Sequence, residues 1–220
     1  MKERGMIFNA EMVRAILDGK KTQTRRPIKW KQTRFTEIAE RDDGSLWPWA
    51  EDCERGGDIW FACPYGEIGD RIWVRETFRV HSRATDVATL VYRASVRNSW
   101  TEQTHRVPVA VCNTPATPEK WTPSIHMPRW ASRITLEITD VRVERLHSIS
   151  ERDALTEGLF QLPASGRYCL QPGMQYFGMA SHSAKEVYSW LWASIYGEES
   201  WAANPWVWVI EFKRVEGAAL

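Results

Sequence analysis

The sequence has no marked excess of charge of either sign. Its 29 Lys and Arg residues are balanced by 28 Asp and Glu residues, which leaves a formal net charge of +1 on 220 residues. A protein that coats nucleic acid by bulk electrostatic attraction needs a large positive excess, so this balance excludes that class. Any contact with a nucleic acid must therefore come from a local basic patch.

Cysteine is scarce and widely spaced. The four cysteines, Cys53, Cys63, Cys112 and Cys169, form no C-x-x-C pair. This spacing predicts reduced thiols. A zinc site that combines some of them with the five histidines is the weaker alternative. We therefore expect no metal and no cofactor.

Long apolar runs are also missing. No stretch approaches the roughly 20 residues that a membrane-spanning helix needs, and no signal peptide opens the chain. We expect a cytoplasmic protein that contacts no membrane. Nothing in the sequence points to an obligatory protein partner.

Tryptophan, in contrast, is abundant, with 13 residues. Most of them are expected in the core, because a Trp side chain buries a large apolar area. Several stand beside arginine or proline, where stacking on a base or a sugar is an alternative role. These are Trp30, Trp47, Trp49, Trp73 and Trp130.

One basic stretch lacks acidic residues altogether. Between residues 18 and 37 there are seven Lys or Arg and no Asp or Glu. A short amphipathic helix is predicted to end at Gly19 and to lead into this stretch. Lys21 and Thr24 stand three residues apart there, a potential base near a hydroxyl group. The combination favours a site for an anionic or nucleoside-like ligand.

The clearest strand pattern runs from Arg71 to Val80, where apolar and polar residues alternate. Glu76 falls on the apolar face, where a carboxylate needs partners. It is therefore either paired with a nearby arginine or positioned for function. Further strands are predicted near residues 90–94, 134–143 and 206–215, and helices after the capping boxes at Ser150 and Ser183.

These elements predict a single α+β domain over residues 1–220. Strands that neighbour one another in sequence, without βαβ alternation, favour a small mixed or antiparallel β-barrel of roughly six strands with flanking helices. Residues 28–58, 96–120 and 159–182 show little periodicity, and we expect them to be large loop insertions.

Three motifs, in their order and spacing, resemble the ASCH domain family of the PUA-like superfamily, and in particular its phage- and prophage-encoded members. They are the helix-Gly-Lys-x-x-Thr segment at residues 16–26, Gly-Asp before a strand at residues 69–74, and the strand at residues 208–212. The resemblance implies a PUA-like barrel that binds RNA or a nucleoside in a cleft.

One branch of that family, the small bacterial amidohydrolases, removes acyl groups from the N4 amine of cytidine with a Lys, a Thr and a Glu. Carried over by motif, these residues are Lys21, Thr24 and Glu157, although Glu151 and Asp153 are acidic neighbours of the last. The resemblance thus implies a hydrolase that acts on N4-acetylcytidine or a related modified nucleoside.

The chemistry is plausible from the residues themselves. A lysine that is desolvated in a cleft has a lowered pKa and can take the proton of a threonine hydroxyl. Glu157 would orient the lysine or carry a proton to the leaving amine. Backbone N–H groups between Gly19 and Thr24 would stabilise the oxyanion. Alternatively, Thr24 only hydrogen-bonds the substrate and water is the nucleophile.

The same residues allow plainer interpretations. Lys21 could be a solvated cation at a helix end, and Thr24 an ordinary strand residue. The competing functional class is an RNA-binding module or a ribonuclease of the ASCH family without amidohydrolase activity. Its phosphate contacts would come from the basic stretch, with Trp30 as a stacking residue: Lys20, Lys21, Arg25, Arg26, Lys29, Lys31 and Arg34.

A second hypothesis concerns substrate binding. An extended segment after Gly19 places Arg26 on the same face as Thr24. A Pro-flanked Arg-Trp pair and the misplaced carboxylate of Glu76 add further polar and aromatic groups. We predict that five residues line the cleft: Arg26, Trp73, Glu76, Arg129 and Trp130.

Overall fold

The structure is a computed structural model that describes residues 1–30, 37–52, 54, 56–95, 104–171 and 173–215. The chain forms two compact units, each assembled from separate segments. The first contains residues 1–19, 69–137 and 213–220, and the second contains residues 20–68 and 138–212.

The first unit combines one helix with two sheets. Its helix α1 (Ala10–Leu17) is capped by Asn9 and ends at Gly19, whose φ of +70° is the left-handed conformation that glycine tolerates. Its strands are β1 (Glu3–Ile7), β6 (Arg71–Arg75), β7 (Phe78–Arg83), β8 (Val87–Tyr92), β9 (Thr104–Pro108) and the first residues of β10 (Thr135–Arg145).

Strand pairing in this unit is mixed. Strand β1 lies parallel to β6, and β10 pairs with β6 antiparallel. The other sheet is antiparallel, in the order β7-β8-β9. Its inner face carries a core cluster that includes Phe78, Leu90, Tyr92 and Met127.

The second unit holds most of the helices. These are α2 (Glu151–Thr156), α3 (Ala184–Tyr196) and α4 (Glu198–Ala202). Its strands are β2 (Gln23–Pro27), β3 (Glu37–Glu40), β4 (Leu46–Glu51), β5 (Asp58–Trp60), the remainder of β10, β11 (Phe160–Gln161), β12 (Tyr168–Cys169) and β13 (Trp206–Arg214).

Three sheets organise the second unit. The largest has the order β10-β13-β2, with β2 at its edge and antiparallel to β13. An antiparallel sheet has the order β3-β4-β5, and β11 pairs with β12. The capping box of Ser150 and Asp153 begins α2, as predicted.

The α+β class is therefore confirmed, whereas a closed barrel is not found among the described residues. The described chain contains 13 strands in several sheets, more than the sequence predicted. Most of the excess lies in the expected loop insertions, although β1, which precedes them, was not predicted either. Residues 37–60 form the sheet β3-β4-β5, residues 104–108 form β9, and residues 160–169 hold β11 and β12. Short strands of mixed composition leave little periodic signal, which explains why the prediction of loops was wrong.

The predicted strand from Arg71 to Val80 is interrupted. It forms β6 and β7 with a break at Glu76 and Thr77. The predicted buried face is nevertheless correct, because Ile72, Glu76 and Val80 are all nearly inaccessible to solvent. Glu76 accepts two hydrogen bonds from Arg133, at 2.9 and 3.0 Å, which confirms the interpretation as a paired carboxylate. Burial raises the pKa of Glu76 in spite of this partner.

Substitution of Gly5 in β1 is predicted to lower the stability of the protein. A Cβ at this position would lie 2.6 Å from Cζ2 of Trp73 and 2.9 Å from Cδ of Arg75. We expect Gly5→Ala to lower the free energy of unfolding by about 1–3 kcal/mol, measured by urea denaturation, because the indole ring must shift. In a Trp73→Leu background the same change should cost much less. An equal loss of unfolding free energy in both backgrounds would contradict the close contact between Gly5 and Trp73.

Candidate active site

Strand β2 carries the predicted site on its two faces. Antiparallel pairing sets Gln23 opposite Glu211, Thr24 opposite Ile210 and Arg26 opposite Trp208. Side chains alternate along a strand, so Gln23 and Arg25 share one face while Thr24 and Arg26 share the other.

A fully buried ion pair joins Lys21 to the end of α2. Lys21 Nζ lies 2.7 Å from the Glu157 carboxylate and 2.8 Å from the Glu157 carbonyl oxygen, and both contacts are hydrogen bonds. Neither side chain is exposed by more than 2%. The alternative that Lys21 is a solvated cation is therefore wrong. The structure brings this predicted pair together although 136 residues separate them.

Burial lowers the pKa of Lys21 from its ordinary value of 10.5. The charge and hydrogen bond of Glu157 oppose the shift, and the positive charges of Arg26 and Arg25 add to it. Desolvation penalises the charged ammonium group, because the interior replaces little of its hydration. The lysine is thus held closer to its neutral, basic form than a lysine in water.

Arg25 extends the pair into a buried network. Its guanidinium lies 3.3 Å from Glu157, 3.0 Å from Glu144 and 3.3 Å from Asp153. The Arg25 side chain is inaccessible, whereas Glu144 and Asp153 are partly exposed. Glu157 therefore binds two buried cations, Lys21 and Arg25.

Arg142 of β10 covers the outer side of this network. Its guanidinium contacts Glu144 at 2.6 Å and Asp153 at 3.2 Å, and it donates to the side-chain oxygen of Gln23 at 3.2 Å. The Arg142 side chain is 29% exposed. Solvent consequently reaches the network at Arg142, Glu144 and Asp153.

Two buried donors on this face have no hydrogen-bond partner among the described residues: Nε2 of Gln23 and Nε of Arg25. Both residues are 2% exposed. An unpaired buried donor is costly, so the face has capacity for an additional acceptor atom, such as a carbonyl oxygen or a water.

The backbone donors predicted near Gly19 to Thr24 are partly engaged. The Gly19 N–H donates to Ile16 O at 3.1 Å, and the Thr22 N–H donates to Thr156 O at 2.9 Å. These N–H groups end α1 and join β2 to α2. They are therefore not free to bind an oxyanion, and that expectation was wrong for these two groups.

Thr24 and Arg26 lie on the other face of β2. Thr24 is 1% exposed. Arg26 donates to the Tyr196 hydroxyl at 3.2 Å, and the Tyr196 ring stacks at 4.4 Å on Trp192. Strand β2 is last in the strand order of its sheet, yet Gln23, Thr24 and Arg25 along it are all buried.

The remaining predicted binding residues, Trp73, Glu76, Arg129 and Trp130, belong to the first unit. Arg129 pairs with Glu3 at 3.0 Å. Trp130 packs edge-on against Phe78. Each of these contacts has a role in packing or charge pairing, and the shared cleft with Lys21 stays a prediction.

The basic stretch is not a uniform phosphate-binding patch. Lys21 and Arg25 are buried with acidic partners, and Lys20 lies 4.9 Å from the Phe160 ring centre. Lys31 and Arg34 lie outside the described residues. Lys29 remains exposed.

Sequence reasoning missed Arg25, Arg142 and Glu144 as members of the network. Gln23 and Arg25 alternate with Thr24 in β2, so the period-two pattern was the signal that could have placed Arg25 beside Lys21. No local signal connects β2 to Arg142 and Glu144, because these residues are more than 100 positions away.

Two further searches concern metals and membranes. Within the described ranges, no group of three His, Cys, Asp or Glu side chains is arranged to hold a metal ion. No helix in that part of the chain has both the length and the apolar character needed to cross a bilayer.

Comparison of the chain with protein-family models, curated proteins and solved structures finds no significant match.

The buried ion pair predicts a large effect of charge removal. Lys21→Met leaves Glu157 buried with Arg25 as its remaining cation, so we expect the free energy of unfolding to fall by about 3–5 kcal/mol. Chemical denaturation measures the loss. Lys120→Met, at an exposed position, is the matched control and should change stability little. A loss of similar size in both variants would contradict the assignment.

The lowered pKa of Lys21 predicts a pH dependence of stability. Between the folded-state pKa and 10.5, the unfolded chain holds a proton on Lys21 that the folded chain has lost. The wild-type free energy of unfolding should therefore gain a rising contribution as pH increases through that interval. Denaturation at several pH values should show this contribution in wild type and Lys120→Met, and its absence in a destabilised but folded Lys21→Met protein. The same dependence of unfolding free energy on pH in all three proteins would refute the lowered pKa of Lys21.

Proposed function

We propose that this protein is a hydrolase of the PUA-like ASCH type that removes the acyl group from N4-acylated cytidine or a related modified nucleoside. The observation that carries the proposal is the buried contact of 2.7 Å between Lys21 and Glu157. Paired titratable groups in a desolvated site, with a lysine pKa lowered by burial, are the arrangement that proton-transfer catalysis requires.

The reaction is hydrolysis of an amide. Lys21 first releases its own proton to solvent, which its lowered pKa favours. It then takes a proton from water, and the oxygen of that water bonds to the acyl carbon to form a tetrahedral intermediate. The bond from carbon to N4 then breaks, and the proton passes from Lys21 to the departing N4 amine. Glu157 holds Lys21 in place and stabilises the ammonium form that exists between the two steps.

The intermediate carries negative charge on the former carbonyl oxygen. Gln23 Nε2 and Arg25 Nε are the donors proposed to receive it, because both are buried and lack hydrogen-bond partners within the described structure. Hydrogen-bond donors that are already in place in a desolvated site strongly stabilise the negative charge that develops there, because no solvent must reorganise.

Thr24 is assigned a contact to the substrate rather than the role of nucleophile. Its position in β2 alternates with that of Arg25, which bonds Glu157 on the opposite face. Of the two alternatives stated from the sequence, attack by water is therefore better supported.

Access to Lys21 requires movement of the outer ion pairs. Arg142 and Asp153 are 29% and 20% exposed, and their contact at 3.2 Å covers the network. Ion pairs that are partly exposed contribute little stability individually, about 0–1 kcal/mol. Displacement of the Arg142 side chain by an incoming substrate would separate four such pairs, with Asp140, Glu144, Asp153 and Glu211, at a cost on the order of a few kcal/mol.

The proposal is tested with N4-acetylcytidine and chromatographic detection of cytidine. We expect turnover by wild type and a loss of about 100-fold or more in kcat/KM for Lys21→Arg. Arginine keeps the positive charge opposite Glu157 but does not lose its proton at accessible pH, so it cannot act as a base. Thermal unfolding of the variant shows whether the fold is retained.

Lys120→Gln, at an exposed position, is the control and should keep full activity. Absence of turnover by wild type, or unchanged turnover in a folded Lys21→Arg variant, would disprove the hydrolase. Binding of RNA with a steep dependence on salt, without hydrolysis of the acyl group, would support the RNA-binding alternative, because each phosphate contact releases counterions. Cleavage of the RNA strand would support the ribonuclease.

A further inference from the structure

A pocket of about 410 Å³ lies in the second unit, and aromatic and other apolar side chains form most of its walls. Trp30, Phe61, Tyr65 and Trp208 line it. The volume falls within the range of small-molecule sites, roughly 300–1,000 Å³. None of Lys21, Thr24 and Glu157 is among its lining residues. Flat aromatic walls are the surfaces on which proteins stack unpaired nucleobases.

Trp208 is held rigidly in this pocket. The side chain is 3% exposed and meets Trp47 edge-on with a ring separation of 5.2 Å. Arg41 lies over the Trp47 ring at 4.1 Å and over the Trp60 ring at 5.1 Å. A wall fixed by such contacts loses little freedom when a ligand binds, which favours affinity.

The charge of the pocket is positive. Lys29 is exposed and is the charged residue among the described lining residues, none of which is acidic. An anionic group attached to a flat ring would therefore meet an attractive potential at Lys29 and no carboxylate in the walls.

We propose that this pocket binds a nucleotide, with the base stacked on Trp30, which is 44% exposed, and the phosphate at Lys29. The choice of a nucleobase as the flat ring rests on the proposed nucleoside recognition, whereas amide hydrolysis is not required. Lys29, Trp30 and Pro48, which fall in the expected loop insertion at residues 28–58, thereby acquire a binding role.

Such a nucleotide can be free or part of a single strand. Trp208 pairs with Arg26, which stands two residues beyond Thr24 on the same face of β2. Gln23 and Arg25 occupy the opposite face of β2, so the pocket is a separate site from the proposed oxyanion donors.

The test measures binding by isothermal titration calorimetry with cytidine monophosphate, adenosine monophosphate and a short single-stranded oligoribonucleotide. Trp30→Ala should weaken binding about tenfold, because a stacking surface is removed. Lys29→Gln should weaken binding of the nucleotides and leave the uncharged nucleosides unaffected. The matched controls are Phe177→Ala, with its ring 84% exposed outside the pocket, and Lys120→Gln, and both should bind as wild type.

Aromatic walls discriminate weakly between bases, so we expect cytidine and adenosine monophosphates to bind with similar Kd. Binding by mononucleotides supports a free nucleotide, and binding by the oligoribonucleotide alone supports an RNA strand. No binding of either, unchanged Kd in Trp30→Ala, or equal binding of ribose 5-phosphate would overturn the proposal. Because the readout is binding, a protein that fails to hydrolyse N4-acetylcytidine still gives a decisive answer here.

Discussion

The carboxylate of Glu157 is the constraint on which the centre of the second unit depends. It stands at the end of α2 and binds two buried cations from the β2 region, Lys21 and Arg25. Charges of this kind cannot be buried singly, because their desolvation costs several kcal/mol each. The helix and the strand must therefore meet in one register.

In the network around this carboxylate, the solvent exposure of the charged side chains increases from inside to outside. Lys21 and Glu157 are inaccessible, Asp153 and Glu144 are partly exposed, and Arg142 lies on the solvent side. Electrostatic interactions strengthen with burial and are screened at the surface. The inner pair therefore supplies both rigidity and a perturbed lysine, whereas the outer pairs can separate at modest cost. That gradient makes a buried lysine compatible with a substrate that arrives from solvent.

Local signals in the sequence predicted local structure well. The glycine that ends α1, the capping box that begins α2 and the Ser183 cap that begins α3 act within one helical turn, so neighbouring residues suffice to identify them. The apolar alternation through Ile72 and Val80 was also correct. The break at Glu76 was not foreseen, because the pairing with Arg133 that accompanies it joins residues 57 positions apart.

The strands within the expected insertions were not predicted, for a related reason. Sheet β3-β4-β5 joins short segments rich in Trp, Pro and acidic residues, and its stability comes from cross-strand contacts such as Arg41 over Trp47. Such pairs leave no periodic trace in either strand. The aromatic pocket beside this sheet was equally invisible, since Trp30 and Trp208 are brought together only by folding.

Local patterns in the sequence were enough to predict the α+β class and the ends of the main helices, and the motif resemblance supplied the candidates Lys21, Thr24 and Glu157. The tertiary structure decided which of them meet. It joined Lys21 to Glu157, and strand alternation assigned Thr24 to the opposite face from Arg25. The physical reason is that helix ends depend on neighbours in the chain. A buried charge, in contrast, is stabilised by whichever partner the fold delivers, at any separation in sequence.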